Sequence, residues 1–121
     1  MLPSKVTDSG VLIIRLRADL DIGGRATAAW EIDDLLTAHR ASPVVLELSG
    51  TSVSPAAVST VVRAHRNCAD AGVPLAVVAS GPEDRRALVV GVGAHAPDVH
   101  ATVPQAVAAV EALSAAVGAA A

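Results

Sequence analysis

The sequence of 121 residues has room for one domain with a single hydrophobic core. Its 12 acidic and 9 basic residues give a net charge of −3, and Trp30 is its only aromatic residue, so it lacks the basic and stacking side chains of nucleic-acid-binding proteins. A single cysteine, the absence of a signal-peptide core and apolar runs well below the roughly 20 residues of a membrane span predict a cytoplasmic protein without internal disulfide or membrane insertion.

The first third of the chain predicts a β-hairpin and then a helix. Two strand-like runs, at 5–7 and 11–16, are separated by turn residues. Beyond them Ala29, Ile32 and Leu36 recur with the spacing of one helix face. This segment is therefore expected to cross from the hairpin to the next strand.

The middle of the chain predicts two buried strands joined by a helix. Residues 43–48 and 73–79 are nearly continuous apolar runs, which are typical of parallel strands covered on both faces. Between them Val58, Val61, Val62 and His65 form the apolar stripe of a second helix, which a glycine at position 72 should end. We expect the two runs to pair in parallel and to bury the following side chains: Val45, Leu46, Leu48, Val77 and Val78.

The last third predicts a helix at 82–90, a strand at 99–102 and a helix at 104–113, with fraying at the C-terminus. The resulting order is β, β, α, β, α, β, α, β, α. Helices that cross over between successive parallel strands give an α/β fold. We expect a mixed β-sheet of four or five strands with flanking α-helices.

The side chains that could carry chemistry predict no catalytic residue, metal site or cofactor. Cys68 lies within the second helix, where a buried thiol is usually a small apolar group. His95, Asp98 and His100 are close in sequence, but they lack the helical spacing of metal ligands and have no cysteine beside them. Three further pairs are interpreted as solvated helix faces and a turn: Asp33-Asp34, Arg85-Arg86 and Gly23-Gly24.

Ser54 and Pro55 mark the start of the second helix. A hydroxyl at the residue before a helix accepts a hydrogen bond from a free backbone N–H, and proline at the first helical position has no N–H to leave unpaired. Ser54 is therefore predicted to cap the helix, and Ser52 is predicted to be a loop hydroxyl.

The order and spacing of several segments resemble the STAS domain, the fold shared by anti-sigma factor antagonists and the C-terminal parts of sulphate transporters. LRADLD at 16–21 resembles the family's Gly-Glu-Leu-Asp element, and VVLELSG at 44–50 resembles its Val-Val-Leu-Asp-Leu-Ser-Gly strand. Residues 72–79 and 82–91 resemble the family's next strand and helix. The resemblance implies a STAS domain over residues 1–115 and an Ala-rich tail at 116–121.

The sequence departs from the family at the loop where such antagonists carry Asp-Ser-Ser-Gly or Asp-Ser-x-Gly and a partner kinase phosphorylates the first serine. Here the segment reads Ser54-Pro55-Ala56-Ala57. Alignment on residues 63–66 places the acceptor at Pro55, alignment on 48–50 places it at Ala56, and only a shift the other way offers Ser54. We therefore expect no serine phosphorylation at the family position, with Ser54 as the fallback.

The resemblance also implies a partner surface and a role. The surface would consist of Asp21, Ser52, Ser54, Pro55, Ala56 and Ala57. The role would be that of a bacterial transcription regulator that binds an anti-sigma factor with a histidine-kinase-like ATPase domain and so controls sigma factor availability. The alternatives are a non-switching STAS scaffold or transporter-accessory subunit, and a nucleotide- or ligand-binding sensor; a weak homodimer also stays open.

Overall fold

A computed structural model describes residues 2–92 and 97–120, which form a five-stranded sheet and four helices. The strands and helices, in chain order, are β1 (Ser4–Val6), β2 (Leu12–Arg17), α1 (Ile22–Ala38), β3 (Val44–Ser49), α2 (Pro55–Asp70), β4 (Leu75–Val78), α3 (Pro82–Val92), β5 (Asp98–His100) and α4 (Val103–Ala120). This order is the predicted one. Met1, 93–96 and Ala121, and with them the predicted role of His95, lie outside the described residues.

The five strands lie side by side in chain order, β1-β2-β3-β4-β5. β1 and β2 are antiparallel, as the hairpin prediction requires, and the other three pairs are parallel. β3 and β4 pair from Val44 opposite Leu75 to Glu47 opposite Val78. The predicted parallel pairing of the two central apolar runs is therefore confirmed, and the sheet is mixed.

Both faces of the sheet are covered, because side chains alternate between two separate clusters along each strand. Leu46 and Val77 belong to the larger cluster, under α1, α2 and α3, whereas Val45 and Val78 belong to the smaller one, under α4. These four side chains and Leu48 are at most 5% exposed. Their predicted burial is confirmed, and it explains why the two runs carry few polar residues.

The buried face of α2 differs from the predicted stripe. Val61 is fully buried as expected, but Val62 and His65 are only half-buried. Ala64 and Cys68 are buried in their place. Small side chains let the helix pack closely on the sheet, whereas the prediction gave more weight to the larger residues.

The predicted solvated acidic face of α1 is also partly wrong. Asp33 contacts two side chains of α2. Its Oδ2 lies 2.7 Å from the Arg63 guanidinium group, and its Oδ1 accepts a hydrogen bond of 2.8 Å from the Asn67 side chain. Asp34 stays exposed. Arg85 is likewise engaged, since it donates to the backbone carbonyl oxygens of residues 79 and 80.

No helix among the described residues is long and apolar enough to cross a bilayer. The same part of the chain contains no group of three or more His, Cys, Asp or Glu side chains placed to hold a metal ion. The domain boundary at residue 115 stays a prediction; α4 extends past that position to Ala120.

Replacing Leu46 by alanine should lower the free energy of unfolding by about 2–5 kcal/mol, because the side chain is fully buried on the central strand and a cavity would remain. Denaturant titration followed by circular dichroism measures the loss. Val90→Ala is the matched control: Val90 is 77% exposed on α3, so its truncation should change stability by less than about 0.5 kcal/mol. A loss below about 1 kcal/mol for Leu46→Ala would contradict the assigned core.

Cys68 should resist thiol reagents in the native protein. Burial raises the pKa of its thiol from 9.0 to about 11, so at pH 8 the reactive thiolate is about a hundredfold rarer than in an exposed cysteine. Labelling with a chromogenic disulfide at pH 8, with and without denaturant, measures the protection. Native labelling as fast as that of the unfolded chain would show that Cys68 is accessible.

Candidate functional site

Two loops meet at the carboxyl ends of β2 and β3. Because these strands are parallel neighbours, the segments that follow them leave the sheet at the same edge. The Ala18 N–H donates to the Ser49 carbonyl oxygen at 2.9 Å, and the Ser54 N–H donates to the Ala18 carbonyl oxygen at 2.8 Å. These two bonds hold the β2–α1 loop against the β3–α2 loop and bring the N-termini of α1 and α2 together.

Asp21 caps α1. Its backbone is extended, and its Oδ1 accepts a hydrogen bond of 2.6 Å from the Gly24 N–H. A carboxylate at this position also interacts favourably with the helix dipole. The residue is nevertheless exposed, so it contributes both to the start of the helix and to the surface.

Ser54 caps α2, as predicted. Its Oγ accepts a hydrogen bond of 3.1 Å from the Ala57 N–H and donates its own proton to the Leu20 carbonyl oxygen at 2.5 Å. Pro55 follows at the first helical position. The hydroxyl thus joins the second helix to the loop that precedes the first, and its proton is engaged by a backbone carbonyl group.

Ser52 lies at the exposed tip of the β3–α2 loop with a φ of 64°. Gly50, two residues earlier, has a φ of 89°. Left-handed backbone is uncommon for residues other than glycine. The loop is therefore tightly turned, and the Ser52 hydroxyl faces solvent rather than bonding within the described residues.

The remaining predicted site residues divide between surface and core. Pro55 is exposed and borders a shallow depression of about 600 Å³, whose wall also includes Asp21. Ala56 is 5% exposed, and Ala57 is fully buried. A partner at this end would therefore contact Asp21, Ser52 and Pro55, whereas the two alanines are buried and offer it little surface.

Sequence reasoning missed two residues of this site. Ile22, the first residue of α1, is 80% exposed beside the depression. Its position directly after Asp21, a residue type that commonly caps helices, was the sequence signal that could have indicated it. Asp84, on α3, accepts a hydrogen bond of 3.0 Å from the Val53 N–H. This contact joins segments far apart in sequence, so no local pattern indicates it.

A charged pair borders the β2–α1 loop. Arg17 and Asp19 form a bidentate salt bridge, in which Nε donates to Oδ1 at 3.0 Å and Nη2 donates to Oδ2 at 3.1 Å. The hydrogen bonds, and next the opposite charges, lower the pKa of Asp19 and raise that of Arg17. Both side chains are well exposed, so the pair orients the loop and stabilises it little.

Solved structures with the same fold include a serine-to-glutamate variant of RsbS from Moorella thermoacetica. It is 13% identical with a TM-score of 0.77, over 93% of this chain and 96% of the other. A Thermotoga maritima protein, TM1081, described as a candidate anti-sigma factor antagonist, is 20% identical in its crystal structure, with a TM-score of 0.70 over 91% and 94%. Its NMR structure is 21% identical, with a TM-score of 0.71 over 92% and 89%.

These identities show a shared fold, and family membership rests on the sequence itself. No curated protein matches the chain. The family model for the STAS domain matches residues 3–106, which include all five strands and the first three helices. The resemblance drawn from the sequence is therefore confirmed, and this chain belongs to the STAS domain family.

Proposed function

We propose that this chain is a cytoplasmic protein-binding module of the anti-sigma factor antagonist type. It binds an anti-sigma factor that carries a histidine-kinase-like ATPase domain and so controls the availability of a sigma factor for transcription. Its binding is not switched by phosphorylation at the family's serine position. The alternatives, a scaffold or transporter-accessory subunit and a ligand sensor, predict different partners.

The observation that carries this proposal is the convergence of two helix starts on one exposed surface. Asp21, Ile22 and Pro55 are exposed around the depression, and Ser52 projects from the adjacent loop tip. A surface with a charge, an aliphatic side chain and a proline beside a rigid, hydrogen-bonded loop pair suits recognition of a folded protein. The fold similarity to a candidate anti-sigma factor antagonist supports the class of partner.

A binding role, rather than catalysis, is supported by the state of the Ser54 hydroxyl. Nucleophilic serine needs a neighbouring base to accept its proton. Here the Leu20 carbonyl oxygen receives that proton, and the Ala57 N–H occupies a lone pair of the oxygen. The hydroxyl is held as a structural cap.

Replacing Asp21 by asparagine should weaken partner binding by about fivefold to tenfold, because the exposed charge is lost while the side chain still caps α1. Stability should change by less than about 0.5 kcal/mol. Wild type and variant are used as baits in lysate of the source cell, captured proteins are identified by mass spectrometry, and the ATPase partner is then titrated. Asp21→Ala is the comparison, since it also loses the cap and about 0.5–2 kcal/mol.

The outcomes separate the candidate functions. Capture of a histidine-kinase-like ATPase that depends on Asp21 supports the proposal. Capture of a permease or of a multi-protein scaffold alone would replace it by the accessory or scaffold role. Equal affinity of wild type and Asp21→Asn for the ATPase would remove Asp21 from the interface and leave it a helix cap.

Wild type should remain unmodified by that kinase. Pro55 and Ala56 have no hydroxyl oxygen, and the Ser54 oxygen is engaged at both its proton and a lone pair. The triple variant Ser54→Asp, Pro55→Ser, Ala57→Gly restores the family pattern and should gain one phosphate, which the helix N-terminus accommodates. Intact mass after incubation with kinase and ATP measures both results.

The matched control for this assay carries alanine at the restored acceptor: Ser54→Asp, Pro55→Ala, Ala57→Gly. This control should stay unmodified, in which case the phosphate gained by the triple variant is assigned to the serine at position 55. Stoichiometric modification of wild type at Ser54 would refute the unswitched role and make the chain an ordinary phospho-regulated antagonist with a shifted acceptor.

A further inference from the structure

A basic groove runs along the outer surface between α1 and α2. It has a volume of about 550 Å³, and three arginines lie along it: Arg25 from α1, and Arg63 and Arg66 from α2. No carboxylate lines it among the described residues. In a chain of net charge −3 this is a local concentration of positive charge that opposes the overall balance.

Two of these arginines are electrostatically uncompensated. Arg63 is already paired, because its guanidinium group lies 2.7 Å from the Asp33 carboxylate of α1. Arg25 and Arg66 are exposed and form no hydrogen bond or ion pair within the described part of the chain. Two guanidinium groups, one from each helix, are thus available to pair with anionic groups along the groove.

The position of Arg25 is unfavourable for the isolated helix. It follows Ile22, the first residue of α1, by less than one turn, where the helix dipole disfavours a cation by about 0.3–1 kcal/mol. The Asp21 cap offsets part of this cost, but no acidic residue occupies the first turn itself. A carboxylate supplied from outside the chain would offset more of it.

Apolar as well as polar side chains line the groove. Ala26 and Ala29 from α1 and Val62 from α2 form its apolar part, beside the polar side chains of Ser59, Thr60 and Asn67. Val62 is half-buried, although its spacing in the sequence resembles that of a core residue. On the same helix, outside the groove lining, Ile22 and Trp30 have 80% and 67% of their surfaces exposed.

We propose that the groove formed by Arg25, Ala26, Ala29, Val62, Arg63 and Arg66 binds an acidic amphipathic segment of a partner protein. Carboxylates of that segment pair with Arg25 and Arg66, and an apolar side chain packs against Ala29 and Val62. Residues 59–66 of α2 span ~12 Å, which matches about two turns of a helix. Charge complementarity selects the occupant, and a nucleic acid is disfavoured because the chain has a net charge of −3 and one tryptophan.

The groove begins one turn beyond Asp21 and Ser54, so a protein seated on the two helix starts would reach it directly. Assigning the acidic segment to that same partner rests on the proposed function. The groove's own specificity does not, because it can be measured with a synthetic peptide. Failure of the groove to bind the peptide therefore remains distinguishable from failure of the proposed function.

The test uses a fluorescein-labelled peptide of about 16 residues, built from glutamate and leucine at helical spacing, and a counterpart with lysine for glutamate. Fluorescence anisotropy should show binding of the acidic peptide only, weakening between about 50 mM and about 300 mM salt. The double variant Arg25→Glu, Arg66→Glu should weaken it at least about tenfold. Arg86→Glu, a single charge reversal on α3 outside the groove, should leave affinity unchanged.

The double variant should fold, because neither arginine has a partner among the described residues and glutamate at position 25 favours the helix start. Circular dichroism and a melting curve check this. Equal binding of the acidic peptide by the double variant and wild type, or equal binding of the lysine peptide, would overturn the proposal. Tighter, arginine-dependent binding of a single-stranded oligonucleotide would overturn it too and make the groove a nucleic-acid site.

Discussion

The arrangement of this surface depends on one hydroxyl group. The Ser54 hydroxyl accepts from the Ala57 N–H in the first turn of α2 and donates to the Leu20 carbonyl group just before α1, so a single side chain sets the start of one helix and its distance from the other. The Ser54 backbone N–H adds a bond to Ala18 in the same loop. Removing this oxygen would leave a helix donor and a loop carbonyl group without their partner, which is why we regard the serine as structural.

The architecture could be predicted because its signals are local and strong. Continuous apolar runs around Leu46 and Val77 indicated central strands, since only strands covered on both faces tolerate them. The helix start at Ser54-Pro55 followed from backbone hydrogen bonding alone. The orientation of α2 about its axis could not be predicted in the same way. It depends on which small residues allow close packing, and Ala64 and Cys68 carry no more hydropathy signal than Val62.

The candidate site could be predicted only in part. Asp21 and Pro55 are at the expected edge because parallel strands end together, and a family pattern located the loop. The burial of Ala57 and the contact of Asp84 with Val53 depend on how α2 and α3 pack, which no spacing encodes. The basic groove was missed for a related reason. Arg25 and Arg66 are distant in sequence, and Arg25 was never singled out, so their shared concavity emerges only from the packing of α1 on α2.

The core contains aliphatic side chains and a thiol, so Trp30 is the single strong ultraviolet chromophore in the chain, and it is 67% exposed on the helix that forms one wall of the groove. Its emission should already resemble that of tryptophan in water before denaturation. Unfolding is therefore nearly silent in fluorescence, whereas a protein that covers α1 would shift the emission to shorter wavelength. The molecule thus contains an intrinsic optical reporter that responds to occupancy of its outer helical face and not to loss of its fold.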